Sequence, residues 1–182
     1  MTQTYLVRHA HSLWSPDETR SLSDKGRAQA DRIAGRLATV APVSIYSSPY
    51  ARARQTVEPL ALRLGLPITE IRDLRERALS TGPLEDFEAA LRETWHNFQL
   101  AYPGGESSED AQRRAVAIYE ALRVHHGEET IVISTHGNLL SLLLNHYDSS
   151  LGFDFWRSLS IPDVYTLRLQ SGDGVAIERW WN

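Results

Sequence analysis

The sequence predicts an α/β fold, a three-layer sandwich whose mostly parallel central sheet is covered by helices on both faces. Three observations predict it. Short apolar runs alternate with stretches of helical periodicity along most of the chain. The runs Thr4–Val7 and Thr130–Ser134 (TIVIS) are apolar enough for strands buried on both sides, as parallel strands under helices are. No internal repeat, low-complexity tract or linker divides the 182 residues, so one domain spanning 1–182 is expected, long enough for a sizeable core.

Thr4–Val7 is the first strand, and Ser12–Leu22, with its Ser, Pro and Asp, is a loop. Ser23 is a candidate N-cap for a helix from Asp24 to about Thr39, whose apolar positions are Ala30, Ile33, Ala34, Leu37 and Ala38. Pro42 stops it before a short strand at Val43–Ser47. Pro49 is suited to the first turn of the next helix, which buries Val57, Leu60, Ala61 and Leu64 and ends at Gly65. Leu66–Ile71 is extended. A helical region follows from Leu84 to about Tyr102, then the breaker Pro103-Gly104-Gly105 and an amphipathic helix over Glu109–Val124. TIVIS runs into HGN and the helix LLSLLLNH. The end reads as a hairpin of Val164–Leu169 and Val175–Trp180 around Ser171–Gly174. Residues 72–108 read as a helical insertion over the active-site end of the sheet.

Composition narrows the function. A net charge of −4 gives no global attraction to nucleic acid or to an anionic membrane, and neither partner is expected. The longest apolar stretch, near Leu139–Leu144, is too short to span a bilayer, and MTQTYLVRH has no signal-peptide pattern. The absence of cysteine excludes thiol catalysis and disulfides and fits a cytoplasmic location. The basic residues are 18 Arg and a single Lys, Lys25. A GC-rich genome accounts for most of that bias, although a phosphate site would gain from a few forked guanidinium donors.

In open α/β sheets the ligand sits beyond the carboxyl ends of the strands. Arg8 and His9 end the first strand, His136 follows TIVIS, and Ser47-Ser48 followed by Arg52 and Arg54 end a third strand. If these strands are parallel neighbours, two imidazoles and two or more guanidinium groups converge on a pocket for a dianion. Helix N-termini after Pro49 and Gly137 would add N–H donors. A neutral imidazole held through its other ring nitrogen by a backbone carbonyl could attack phosphorus, and a carboxylic acid could protonate the leaving oxygen. An H-x-H at His9 and His11 is the only metal-like spacing, so neither metal nor cofactor is expected. His96, His125, His126 and His146 read as structural.

LVRHAHS, SSPYARARQT, LRER, PGGES and STHGN, in that order between Leu6 and Asn138, resemble the histidine phosphatase superfamily, phosphoglycerate-mutase-like branch. The resemblance implies a phosphoglycerate-mutase-like fold with His9 as the nucleophile that becomes phosphohistidine. It implies Arg8 and Arg52 as phosphate clamps, His136 (with Gly137 beside it) as a further phosphate ligand, and Glu76 as proton donor and later base. Three positions depart from the family pattern. Ala10 replaces glycine and would narrow the approach to phosphate. His11 replaces Glu or Gln, as a substrate ligand or a solvent-facing group. Ser15 replaces asparagine, as a weaker phosphate or substrate contact. PGGES reads as a turn plus helix cap with no catalytic role.

The expected activity is therefore cofactor-independent hydrolysis of a small phosphorylated metabolite. The alternatives are a phosphoglycerate mutase, a phosphohistidine-protein phosphatase and a non-catalytic phospholigand-binding module. The family's mutases carry a longer C-terminal tail than this sequence shows, which favours hydrolysis. Trp95, Phe98 and Arg77 are the candidate contacts to the alcohol half. Oligomeric state is not legible.

Overall fold

The computed structural model describes residues 3–13, 15, 18–169 and 174–181. The elements in chain order are β1 (Gln3–Arg8), α1 (Asp24–Leu37), β2 (Ser44–Ser47), α2 (Ala51–Leu64) and β3 (Ile68–Glu70), then α3 (Phe87–His96), α4 (Ser108–His126), β4 (Thr130–Thr135), α5 (Gly137–Tyr147), α6 (Phe153–Ser158), β5 (Asp163–Leu169) and β6 (Val175–Arg179). They form one six-stranded sheet in the order β3-β2-β4-β1-β5-β6. The first four of these strands run parallel, and β5 and β6 are antiparallel.

The pleat of β1 explains the two cores. Tyr5 and Val7 face one side with Ile45, Val132 and Val164, where Ile33, Ala34 and Leu37 of α1 and Val57, Leu60 and Ala61 of α2 cover them. Leu6, Ile131 and Ile133 face the other side, under Ala115 and Tyr119 of α4 and the leucines of α5. The near-continuous apolarity of β1 and β4 follows from burial on both faces.

Local chemistry sets most boundaries. The Ser23 side chain accepts from Gly26 N–H and starts α1, and Gly65, at φ +66°, closes α2 in the left-handed region. Pro49 stands outside the first turn of α2, because Tyr50 is the N-cap and the first helical residue is Ala51. The helical region expected over 84–102 is shorter, since Asp86 caps α3 at Ala89 N–H and the helix ends at His96. Ser107 caps α4 through Asp110 N–H. The hairpin strands pair as expected, and residues 171–173 of the expected turn lie outside the described residues. The short α6 has no counterpart in the sequence reading. Trp180 packs edge-on against Tyr5, and the Arg36 guanidinium lies over the rings of Trp180 and Trp181. Among the described residues no helix is long and apolar enough to cross a membrane.

Candidate active site

Strand register brings distant segments to one level. Arg8 pairs with Thr135 and Ser47 with Ser134, so β2, β4 and β1 end side by side. The pairing runs one residue further, with His9 N–H donating to Thr135 O at 3.0 Å and Ser48 N–H to Ser134 O at 2.9 Å. His9, His136 and Ser48 therefore leave the sheet together. The His9 and His136 rings meet edge to face with centroids 5.2 Å apart. Above them is a cavity of about 380 Å³ lined by Arg8, His9, His11, Ser12, Arg20, Arg52, Glu76, Arg77, Phe87, Leu91, Gly137, Asn138, Trp156 and Ile161.

His9 is buried, with Nδ1 2.8 Å from the Ala10 carbonyl. A carbonyl only accepts, so Nδ1 carries the proton and Nε2 is the unprotonated ring nitrogen. Arg52 Nε–H donates to that Nε2 at 3.2 Å. Burial, and then the nearby Arg52, Arg8 and Arg20, hold the His9 pKa down at about 3, so the ring is neutral above acidic pH. His136 is fully buried and is pushed well below the ordinary histidine range, first by burial and then by His9 and Arg52. Ser48 Oγ accepts from Tyr50 N–H and lies 2.8 Å from His136 Nε2. His136 Nδ1 has no hydrogen-bond partner in the described structure.

The Arg8 guanidinium is held by carbonyls. Arg8 Nη1 donates to Leu159 O at 3.0 Å and to Ser160 O at 3.2 Å. These carbonyls belong to a loop fixed by the buried Asp163, which accepts from Ser160 N–H and takes Arg179 bidentately at 3.0 and 2.7 Å. The Arg8 guanidinium also lies on the backbone of Gly137, where a Cβ would meet Arg8 Nε at 2.9 Å. This contact explains the glycine of HGN better than backbone freedom does, since Gly137 has ordinary helical geometry at the start of α5. Burial and then Arg20 lower Arg52 to about 10, which leaves it a cation at neutral pH.

Glu76 reaches the site from an irregular segment after the short 3₁₀ turn Arg72–Leu74. Its Oε1 accepts from Arg77 N–H at 3.0 Å and Leu139 N–H at 3.1 Å, and its Oε2 from Asn138 N–H at 3.2 Å. The carboxylate thus rests on the positive end of α5. Behind it, Arg114 of α4 holds Glu106 bidentately at 2.6 and 2.8 Å. The other arm of Arg114 donates to the carbonyls of Asp73 and Arg75. Arg77 is anchored alongside by Thr94, Ser108 and the Glu106 carbonyl.

Of the residues singled out in the sequence, Arg8, His9, His11, Arg52, Glu76 and Gly137 line one cavity, and His136 lies directly against His9. Ser15 does not line it; its carbonyl accepts from Arg20 Nη1 at 3.0 Å, and Arg20 is the group that reaches the cavity. Ala10 does not narrow the approach either. Its methyl is buried against Leu22 and Ala30, away from the cavity. His11 bonds Ser23 Oγ through Nδ1 at 2.7 Å. Arg54 faces outward to Glu70. Trp95 and Phe98 pack into the core, and the apolar wall comes instead from Phe87, Leu91, Trp156 and Ile161. PGGES is more than a cap, because its Glu106 anchors Arg114 through the carboxylate and Arg77 through the carbonyl. The sequence reading missed Arg20, Thr56, Asp163 and Arg114. Thr56, one turn after Arg52, takes Ala10 N–H and donates to Arg52 O, so the RxxxT spacing in SSPYARARQT was the readable signal for it. Among the described residues no group of three or more His, Asp or Glu side chains is placed to hold a metal ion.

The chain matches the family described as "Histidine phosphatase superfamily (branch 1)" over residues 4–182. "Phosphoglycerate mutase-like protein 4" of Arabidopsis thaliana is 30% identical, the match covering 96% of this chain and 83% of that protein. "Probable phosphoglycerate mutase GpmB" of Escherichia coli O1:K1 is 32% identical over all of this chain and 90% of the relative. Bacillus stearothermophilus YhfR superposes with a TM-score of 0.80 at 26% identity, covering 99% of this chain and 96% of that one. A mycobacterial glucosyl-3-phosphoglycerate phosphatase shares the fold with a TM-score of 0.79 at 22% identity, over 98% and 97% of the two chains. The protein belongs to the histidine phosphatase superfamily, and its sheet is that of the phosphoglycerate-mutase-like structures.

Proposed function

We propose that the protein is a phosphomonoester hydrolase that works through a phosphohistidine on His9 and acts on a small phosphorylated metabolite in the cytoplasm. The observation that carries this reading is the state of His9: neutral, with its proton pinned on Nδ1 by the Ala10 carbonyl and its Nε2 lone pair facing Arg52 in a cavity that Arg8 and Arg20 also line. Such a nitrogen is a nucleophile, and the guanidinium groups supply the positive charge that phosphoryl transfer requires.

In the first step His9 Nε2 attacks phosphorus in line while Arg8, Arg52, Arg20 and His136 hold the phosphoryl oxygens. The P–O ester bond breaks and the departing oxygen takes a proton from Glu76. Oε2, with its single N–H bond of 3.2 Å, is the oxygen free to carry that proton, while Oε1 stays anchored by two. In the second step Glu76 accepts a proton from water, the oxygen attacks phosphorus and the P–N bond breaks. This releases phosphate and restores the His9 lone pair. The segment 72–108 supplies the acid and one wall of the leaving-group side, as an insertion in a single domain.

The names of the curated relatives favour a second reading, a phosphoglycerate mutase that returns the phosphoryl group to another hydroxyl. One experiment tests both. The protein is given 3-phosphoglycerate and a set of phosphomonoesters, and inorganic phosphate and 2-phosphoglycerate are measured with and without His9→Ala. His9-dependent phosphate release without isomerisation is expected. Isomerisation exceeding release would establish the mutase, and release unaffected by His9→Ala would sink both readings. A phosphohistidine-protein phosphatase needs no acid for its leaving group, so Glu76 at the cavity counts against it. A non-catalytic module would bind phosphate without turnover.

A further inference from the structure

We infer that the cavity selects phosphomonoesters whose alcohol half is aromatic or bulky and apolar; this rests on the phosphatase reading above. The cavity lining holds two chemically distinct sets of side chains. One is Arg8, Arg20 and Arg52 with His9. The other is Phe87 and Leu91 of α3, Trp156 of α6 and Ile161 of the following loop.

Phe87 is 56% exposed and Ile161 43% exposed, two of the few large apolar side chains that the described structure leaves in solvent. One such residue on a surface needs no explanation, but four apolar groups lining the same opening as an anion site form a slot with a use. Its two helices are joined outside the slot. Glu88, next to Phe87, lies 3.3 Å from Arg157 Nε, next to Trp156, and 3.5 Å from Arg92. The Arg92 guanidinium in turn stacks 4.4 Å from the Phe153 ring centroid of α6. These contacts link α3 and α6, the helices that carry Phe87 and Trp156.

Arg77, which also lines the cavity, is anchored through Nε to Glu106 O and through Nη1 to Thr94 and Ser108, while its Nη2 is buried without a partner in the described structure. The apolar walls gain free energy from desolvating an apolar group.

The test compares alkyl esters of similar leaving-group basicity, so that chemical reactivity does not imitate recognition: 2-phenylethyl phosphate, glycerol 3-phosphate and 3-phosphoglycerate. The kcat/KM for 2-phenylethyl phosphate is expected to exceed the others by about tenfold or more, the scale of burying one apolar group in a pocket. Phe87→Ala and Trp156→Ala should each reduce that preference, lowering kcat/KM for the phenylethyl ester several-fold more than for glycerol 3-phosphate, and Phe87→Leu should recover part of it. His9-dependent hydrolysis that favours 3-phosphoglycerate or glycerol 3-phosphate, or a phenylethyl preference unchanged in both alanine variants, would overturn the slot and leave the phosphatase standing. No His9-dependent release from any ester would overturn both.

Discussion

Arg114 lies far from Glu76 in the chain, on α4, yet its replacement by Met should behave like damage to Glu76. The guanidinium makes two charge-assisted bonds to Glu106 and further bonds to the carbonyls of Asp73 and Arg75, which flank Glu76 on its N-terminal side. The pair is mostly buried, with side-chain exposures of 11% for Arg114 and 18% for Glu106. Breaking a buried pair by removing one partner costs about 3–5 kcal/mol, and this residual exposure argues for the lower end, about 3 kcal/mol. For a chain of this length that is a fall of roughly 6–12 °C in Tm. The local effect is larger. The segment from Asp73 to Arg77 has only a short 3₁₀ turn of its own, so losing these bonds lets the carboxylate drift from its seat on α5.

General-acid catalysis contributes about 10²–10⁴-fold, so a drifting acid should lower kcat/KM for an alkyl phosphate by roughly 10–100-fold. The discriminating measurement is the dependence on leaving group. kcat/KM reports events only up to departure of the alcohol and so excludes the later role of Glu76 toward water. A nitrophenolate leaves without a proton, so the nitrophenyl ester should lose only a few-fold in Arg114→Met, as in Glu76→Gln. Arg114→Lys, which keeps the charge but not the fork, should fall in between. Equal losses on the alkyl and aryl esters would refute the argument and reduce Arg114 to a stabilising residue.

Four further outcomes are expected. His9 is held at about 3 in the folded state against an ordinary value near 6.5, so the unfolded chain binds the extra proton between those values. Stability should therefore be full above pH 6.5 and decline as pH falls toward 3, and denaturant titrations of His9→Gln should show a slope shallower by up to about 1.4 kcal/mol per pH unit; an unchanged slope would mean that the ring is not buried neutral. Gly137→Ala places a methyl 2.9 Å from Arg8 Nε and should weaken vanadate binding at least several-fold with little change in Tm, while a variant of wild-type affinity would show that Arg8 does not lie there. Asp163→Ala leaves the Arg179 charge and Ser160 N–H unpartnered and should cost about 3 kcal/mol by chemical denaturation, together with phosphate affinity through the Leu159 and Ser160 carbonyls. Arg20→Met should raise the Kd for inorganic phosphate by about tenfold and flatten its salt dependence, and no change would place Arg20 outside the anion shell.

What the sequence by itself determined is the set of strands that end at the site and the groups they carry there. An apolar run must be buried, and a run that ends in Arg8-His9 or in His136 must deliver those groups to the edge of the core, so both facts are local. Ser23 and Gly65 acted within one turn and were equally legible. Tertiary structure decided what meets those groups. Arg20 enters by way of the Ser15 carbonyl, Arg8 rests on carbonyls about 150 residues away, and Arg114 reaches across to the segment that bears Glu76. No periodicity records such contacts, because a backbone carbonyl looks the same in every residue and its partner is chosen only when the layers pack. The apolar slot was misplaced for the same reason. Trp95 and Phe87 lie on one helix, and only tertiary packing takes Trp95 into the core and leaves Phe87 exposed in the cavity lining with Trp156.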